Sequence, residues 1–315
     1  MNWLRLIRYK NLLIVFFTQL LVWYCLIYDS RNFWGGWAII DFLPIALSTL
    51  LIAAAGYIIN DYFDIKIDLI NRPDKVVLDK KIPLRLAIIA HVGFNIIAMA
   101  LVMPIAIRNH HYEWPLVQLA CIILLWFYST HFKRRFLTGN IVIAALTALT
   151  VVVLLIYEPS LRMYYKMCWW RNDTHQSIDP KWMFAGFAYF AFMLTLMREV
   201  VKDMEDYIGD AEEGCVTMPI KKGLQYSARF VQTIGGITIV TLALITYYLF
   251  LQGNRILGIY TIGFVLFPLT WWCFFIIKKN TVQHYHTASK WLKIIMVSGI
   301  ASLVVYHFTN LTTHA

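Results

Sequence analysis

Charge is what this chain has least of. Only 15% of its 315 residues are Asp, Glu, Lys or Arg, where a soluble domain carries about 25%. A water-facing globule of this length is therefore excluded. Cysteine is scarce too. Cys25, Cys121, Cys168, Cys215 and Cys273 form no CxxC and no metal-ligand spacing, so neither a cysteine metal site nor a disulfide framework is implied. Basic residues are in excess, with a net charge of +10. They are scattered through short segments, however, and nothing forms a basic domain with interleaved aromatics, which excludes nucleic-acid binding. Low-complexity tracts and a nucleophile triad are also missing. No small-residue cleavage site follows the apolar stretch after Asn11, so that stretch reads as a retained helix and not a leader.

What fills the chain instead is apolar. Hydrophobic residues make up 60% and the mean hydropathy is +0.61. Apolar runs at 12–28, 38–59, 84–107, 115–131, 139–157, 182–200, 228–251, 256–277 and 290–309 are each long enough for a hydrocarbon core of roughly 30 Å. The expected fold is all-α: a polytopic membrane protein of about nine crossings, forming one domain over 1–315. Nine crossings with the first end inside place twenty-one of the 28 basic residues in cytoplasmic segments, the bias that orients membrane proteins. The N-terminus is then cytoplasmic and the C-terminus outside. The aromatic content of 16% suits membrane interfaces and an apolar cavity. Most outside segments are short apart from 158–181. No obligatory protein partner is evident; the surroundings are the lipid bilayer.

Two inside segments, near 60–83 and 198–227, are acidic and share a pattern. The first reads Asn60-Asp61-Tyr62-Phe63-Asp64-Ile65-Lys66-Ile67-Asp68, then Asn71-Arg72-Pro73-Asp74-Lys75. In a continuing helix, Asp61, Asp64 and Asp68 at i, i+3 and i+7 share one face, with Asn60 at its edge and Pro73 as the stop. The second runs from Arg198-Glu199 through Lys202 to Asp203, Asp206 and Asp210 with the same spacing. Stacked carboxylates repel one another unless a cation intervenes. Mg²⁺, a hard ion satisfied by a few carboxylates plus water and phosphate oxygens, answers both needs. Arg72, Lys75 and Lys133 are cations suited to diphosphate oxygens, and Tyr128 could reach the same group. A single acidic run is ordinarily a solvated helix end. Two matched runs, each following an apolar helix and flanked by Arg and Lys, point to a function. Their recurrence after the second and sixth helices also hints at an internal duplication. His131 reads as a polar interface residue.

These residues resemble the two signatures of the UbiA superfamily of intramembrane prenyltransferases: Asn60-Asp61-x-x-Asp64-x-x-x-Asp68-x-x-Asn71-Arg72-Pro73, and Asp203-x-x-Asp206-x-x-x-Asp210. Tyr128-Ser129, Phe132-Lys133-Arg134, Gly139-Asn140, Arg198-Glu199, Lys202-Asp203, Glu205-Asp206 and Thr217-Met218-Pro219 look most like its geranylgeranylglyceryl-phosphate geranylgeranyltransferase branch. The resemblance implies nine helices around a cavity, with both motifs at its cytoplasmic mouth in a bacterial or archaeal-type membrane. Asn60, Asp64, Asp68, Asp206 and Asp210 would hold two Mg²⁺, with Mn²⁺ as a substitute, and Asp61 and Asp203 would support them. Arg72, Lys133 and Lys202 would bind diphosphate and Tyr128 would lie near the allylic carbon. Asp64, Asp68, Tyr128 and Asp206 are thus the catalytic candidates, while Arg8 and Asn11 face the pocket on the acceptor side. One departure is Val76, where members usually carry proline.

The expected activity is Mg²⁺-dependent transfer of an isoprenyl group from a polyprenyl diphosphate to a lipophilic acceptor, with release of diphosphate. Other readings remain open. An aromatic prenyltransferase of quinone synthesis would take a hydroxybenzoate or naphthoate. A divalent-ion transporter or a non-catalytic isoprenoid-binding scaffold belongs to other classes. Carboxylates at helix ends, not at mid-membrane beside broken helices, disfavour the transporter.

Overall fold

The computed structural model describes residues 2–28, 39–74, 76–157 and 180–313. The outside stretch near 158–181 lies almost wholly beyond these, as does Lys75. Among the described residues the regular structure is helical. In order the helices are α1 (Asn2–Leu6), α2 (Tyr9–Val22), α3 (Ile39–Phe63), α4 (Ile65–Asn71), α5 (Leu84–Arg108), α6 (Pro115–Thr130), α7 (Thr138–Ile156), α8 (Pro180–Glu205), α9 (Tyr207–Glu212), α10 (Met218–Lys222), α11 (Leu224–Leu251), α12 (Arg255–Thr261), α13 (Phe267–Phe275) and α14 (Val282–Thr313). Backbone amides cannot reach water inside a bilayer, so an apolar chain satisfies them internally by coiling.

Eight stretches among the described residues are long and apolar enough to cross a membrane. A ninth, α6, is apolar but has only 16 residues, about 24 Å of rise. The count of about nine holds, and each predicted run falls on one of these nine stretches. Two of them change winding on the way: α2 passes into a wider π turn over Trp23–Tyr28, and α12 joins α13 through another at Ile262–Leu266.

Lipid-facing positions are greasy. Ile89, Leu244 and Phe267 are 65%, 65% and 70% exposed, an outward face that only a hydrocarbon solvent makes stable. Inside, α3 packs on α5 and α6, α7 on α8, and α8 on α11 and α14. One apolar core gathers Val22, Phe42, Trp114 and Tyr157; a second gathers Met197, Val201, Trp272 and Leu292. A small third core, with Leu6, Ile58, Leu78 and Ile82, ties α1 and the turn after motif one to α3.

The motif helices do not continue as expected. α3 ends at Phe63 and α4 starts at Ile65, with Asp64 between them at φ −94°, ψ 2°. α8 ends at Glu205 and α9 starts at Tyr207, with Asp206 at φ −91°, ψ 7°. The bonds from Asp64 N to Asn60 O and from Asp68 N to Asp64 O persist at 3.0 and 2.8 Å, as do those from Asp206 N to Lys202 O and Asp210 N to Asp206 O at 2.8 and 3.1 Å. Each chain is therefore bent at the central carboxylate of its motif without being unwound. The single face expected of Asp61, Asp64 and Asp68 is split accordingly. Pro73 acts as foreseen: α4 stops at Asn71, because a residue preceding proline is pushed out of helical geometry.

Candidate active site

The bent tips meet. α4 packs against α9, and the join is specific. Asn71 Nδ2 donates to the Asp206 carbonyl at 3.1 Å, while the Gly209 N–H donates to Asn71 Oδ1 at 3.0 Å. Glycine is required at 209, since a Cβ there would lie 2.6 Å from Asn71 Nδ2. Arg72 spans the same gap: its Nη2 lies 2.6 Å from Asp206 Oδ1 and 2.9 Å from Glu205 Oε1. Glu205 also meets His286 Nδ1 of α14 at 2.8 Å. The two acidic segments, distant in sequence, thus form one mouth.

Around it the other predicted residues take separate places. Lys133, in the turn after α6, is ion-paired with Asp64 Oδ2, which also accepts from Asn60 Nδ2 at 2.6 Å. Burial by itself would lower the Lys133 ammonium, but Asp64 outweighs it and holds the group raised and charged. Asp68 and Asp210 have no side-chain hydrogen-bond or ion-pair partner among the described residues. Burial, then the charges of Asp61 and Asp64, push Asp68 up to about 6. Burial likewise raises Asp210 to about 6, opposed by Lys133 and reinforced by Asp206 and Asp64. Both carboxylates share a site short of positive charge.

Asp61 and Asp203 turn elsewhere. Asp61 accepts from Arg8 Nη2 at 2.6 Å. Arg8 itself has a left-handed backbone, φ 51°, and lies 4.9 Å from the Tyr57 ring centre. Asp203 accepts from Asn140 Nδ2 at 2.7 Å.

Below the mouth opens a cavity lined by Arg8, Asn11, Asn60, Tyr128 and Lys202 from the predicted set. Its walls descend through Ile52, Ala53, Leu125 and Leu146 to Val117 and Val153, apolar enough for an isoprenoid tail. Sequence reasoning left five site residues without a role. Asn71 was only part of a quoted motif, and Glu205 lacked a partner until α4 reached it. Arg198 and Glu199 line the cavity, as does Lys293. A lysine inside the last apolar run was the signal for Lys293, because charges within spans are costly and serve a purpose.

Among the described residues no three Asp, Glu, His or Cys side chains form a ready-made metal cage. Mg²⁺ does not require one. It keeps several waters and takes one or two carboxylates together with substrate phosphates. The donors here are hard oxygens, and two of the carboxylates, Asp68 and Asp210, lack an ion-pair partner among the described residues, so the residues fit an ion that arrives with a diphosphate.

The sequence profile of the UbiA prenyltransferase family matches residues 15–295. The chain belongs to the UbiA prenyltransferase family. It is an integral membrane enzyme of the prenyltransferase class. Among its relatives, the digeranylgeranylglyceryl phosphate synthase of Saccharolobus solfataricus is 31% identical over 260 residues, 82% of each chain. The enzyme of the same name from Methanosphaera stadtmanae is 25% identical over 305 residues, 96% of this chain and 98% of that one. Solved UbiA folds agree. A digeranylgeranylglyceryl phosphate synthase structure superposes with a TM-score of 0.59 at 24% identity, covering 98% of both chains. An Archaeoglobus fulgidus UbiA homologue bound to DMAPP and Mg²⁺ gives 0.56 at 16% identity, covering 97% of this chain and all of the other.

Proposed function

We propose that this UbiA prenyltransferase moves a geranylgeranyl-type group from its diphosphate to the free hydroxyl of a glyceryl-phosphate lipid, releasing diphosphate, with Mg²⁺ bound at the mouth. The observation that carries the reading is the join of the two acidic motifs through Asn71, Gly209 and Arg72. The names of the relatives and the apolar cavity beneath the mouth support it.

In this reading Asn60, Asp64, Asp68, Asp206 and Asp210 hold Mg²⁺, two ions by the number of carboxylates, with Mn²⁺ able to substitute. Asp61 and Asp203 keep a supporting part, one pinned by Arg8 and the other by Asn140. The metal supplies charge neutralisation of the leaving diphosphate. Lys133 and Lys202 bind its oxygens, and Arg72, fixed on Glu205 and Asp206, adds a cation beside them. Lys75 belongs to the same group by its place in the sequence. Tyr128 lines the cavity near the allylic carbon, where an aromatic face stabilises developing positive charge. The apolar walls keep water from that carbon. The acceptor hydroxyl oxygen bonds to the allylic carbon as the carbon–diphosphate bond breaks, and its proton passes to a mouth carboxylate. Asn11 and Arg8 stand on the acceptor side.

The mouth and N-terminus face the cytoplasm and the C-terminus lies outside, since the basic residues gather at that end of the helices. The whole chain, 1–315, works as one domain.

The test uses purified protein with Mg²⁺, labelled geranylgeranyl diphosphate and a panel of acceptors. Label entering a glyceryl-phosphate ether lipid supports the reading. Label entering only hydroxybenzoate or naphthoate replaces it with quinone-type chemistry, and no transfer to any acceptor sinks it.

A further inference from the structure

Below the mouth, the cavity wall holds positive charge that the acidic motifs do not balance. Arg198 and Lys202 lie one turn apart on the same face of α8, and both lean on one carboxylate: Arg198 Nη1 donates to Glu199 Oε1 at 2.8 Å, and Lys202 Nζ to Glu199 Oε2 at 3.3 Å. Lys293 reaches in from α14, which packs on both α8 and α2. Its Nζ donates to the neutral Asn11 Oδ1 at 2.5 Å, and among the described residues it has no carboxylate partner. Arg8 lines the same cavity but is matched by Asp61, so its charge is already countered. Arg198 and Lys202 thus share one carboxylate, Glu199, and Lys293 pairs with none among the described residues.

Thr195 makes an independent observation. It is only 4% exposed, lines the cavity one turn before Glu199, and its hydroxyl has no partner. Elsewhere, helical threonines such as Thr147, Thr238 and Thr246 donate back to the carbonyl four residues earlier. A buried hydroxyl left unsatisfied is costly. So is surplus positive charge beside an apolar chamber. One bound anion with several acceptor oxygens relieves both.

We infer that Arg198 and Lys293, with Thr195 and Asn11, form a second anion site that seats the phosphomonoester head of the acceptor. The inference rests on the proposed acceptor class and deepens it. Lys202, one turn nearer the mouth, separates this anion from the diphosphate. Arg198 lies eight residues before Asp206, about 12 Å along the helix. A glyceryl phosphate whose phosphorus sits at Arg198 therefore carries its free hydroxyl, a few bonds away, toward the reacting carbon. Arg8, held by Asp61, also orders the α1–α2 turn against α3, and Lys293 supplies the charge beside Asn11 that no carboxylate meets among the described residues.

The experiment compares steady-state transfer of labelled geranylgeranyl units to a glyceryl-phosphate ether lipid and to its dephosphorylated alcohol, in the full-length enzyme with Mg²⁺. The wild type is measured first. Use of the phosphorylated acceptor in clear preference to the alcohol is expected; if the wild type ignores the phosphorylated lipid, the proposed function and this inference both fall. Lys293→Met and Arg198→Gln should each raise KM for the phosphorylated acceptor roughly tenfold or more, the effect of losing a charge-assisted hydrogen bond. KM for the alcohol and for the donor should stay within about twofold, because neither ligand meets the site. Lys293→Arg, which keeps the charge, should recover most of the loss and shows that the fold tolerates substitution there. Equal losses on both acceptors, or a rise in donor KM instead, would overturn the assignment while leaving the proposed function intact.

Discussion

Asp64 is bonded to Asn60 and ion-paired with Lys133 while sitting at the bend of its helix; Asp206 holds Arg72 from the matching bend. Asp64→Ala or Asp206→Ala should lower transfer at least about a hundredfold, the usual scale for losing a group that stabilises charge in the transition state. Asp64→Ala also strands the Lys133 ammonium, and removing one partner of a buried pair costs about 3–5 kcal/mol. Asp64→Asn keeps the shape and separates the two effects: its elution from size exclusion in detergent should match wild type while turnover collapses. Wild-type turnover with Mg²⁺ in any of these variants would remove the carboxylates from the proposed mechanism. Asp61 differs. Its partner is Arg8, outside the mouth proper, so Asp61→Asn should retain more activity than Asp64→Asn in the same assay.

The short helices α4 and α9 are too brief to be stable alone and depend on each other. Gly209→Ala places a methyl group against the Asn71 side chain, and overpacking of this kind costs about 1–3 kcal/mol. The expected outcome is a lower melting temperature in detergent together with reduced transfer. Unchanged values for both would mean the two tips do not dock in the working enzyme. Much of the element layout was readable beforehand, because the length and apolarity of a span are written locally. What the hydropathy missed were the ends. α14 begins at Val282, not 290, and α8 runs on to Glu205 past 200, since helical hydrogen bonding persists beyond the hydrocarbon into the polar interface. The π turn inside the eighth span has no hydropathy mark. The mouth was legible only in its ingredients. Two acidic runs with equal spacing announced a pair, but Asn71 with Gly209 and Arg72 with Glu205 are contacts between distant segments, which one sequence does not record. Arg8 lines the cavity as expected, but its ion pair with Asp61 is again a contact between distant segments that the sequence does not record.

At the scale of the whole molecule, the nine apolar stretches among the described residues set the orientation proposed above, in which the two ends face opposite sides. With the native cysteines replaced, Gln252→Cys in the turn after α11 should react with a membrane-impermeant maleimide only from outside, and Lys279→Cys before α14 only from the cytoplasmic side. The reverse pattern would invert the proposed orientation. Chelation offers a second check. The bundle is held by apolar packing of its long helices, so EDTA should abolish transfer and Mg²⁺ restore it, with the helical circular dichroism unchanged throughout. Loss of helicity on chelation would make the ion a structural element.

The side-chain amide of Asn71 touches two backbone positions on the far segment, one of them 138 residues away at Gly209. Neither position is free to drift alone. A descendant of this chain that acquired alanine at 209 would first need a shorter residue at 71, and serine at 71 would leave a gap that alanine at 209 could fill. Substitutions at these two sites should therefore arrive in pairs, each harmful in isolation and tolerated in company.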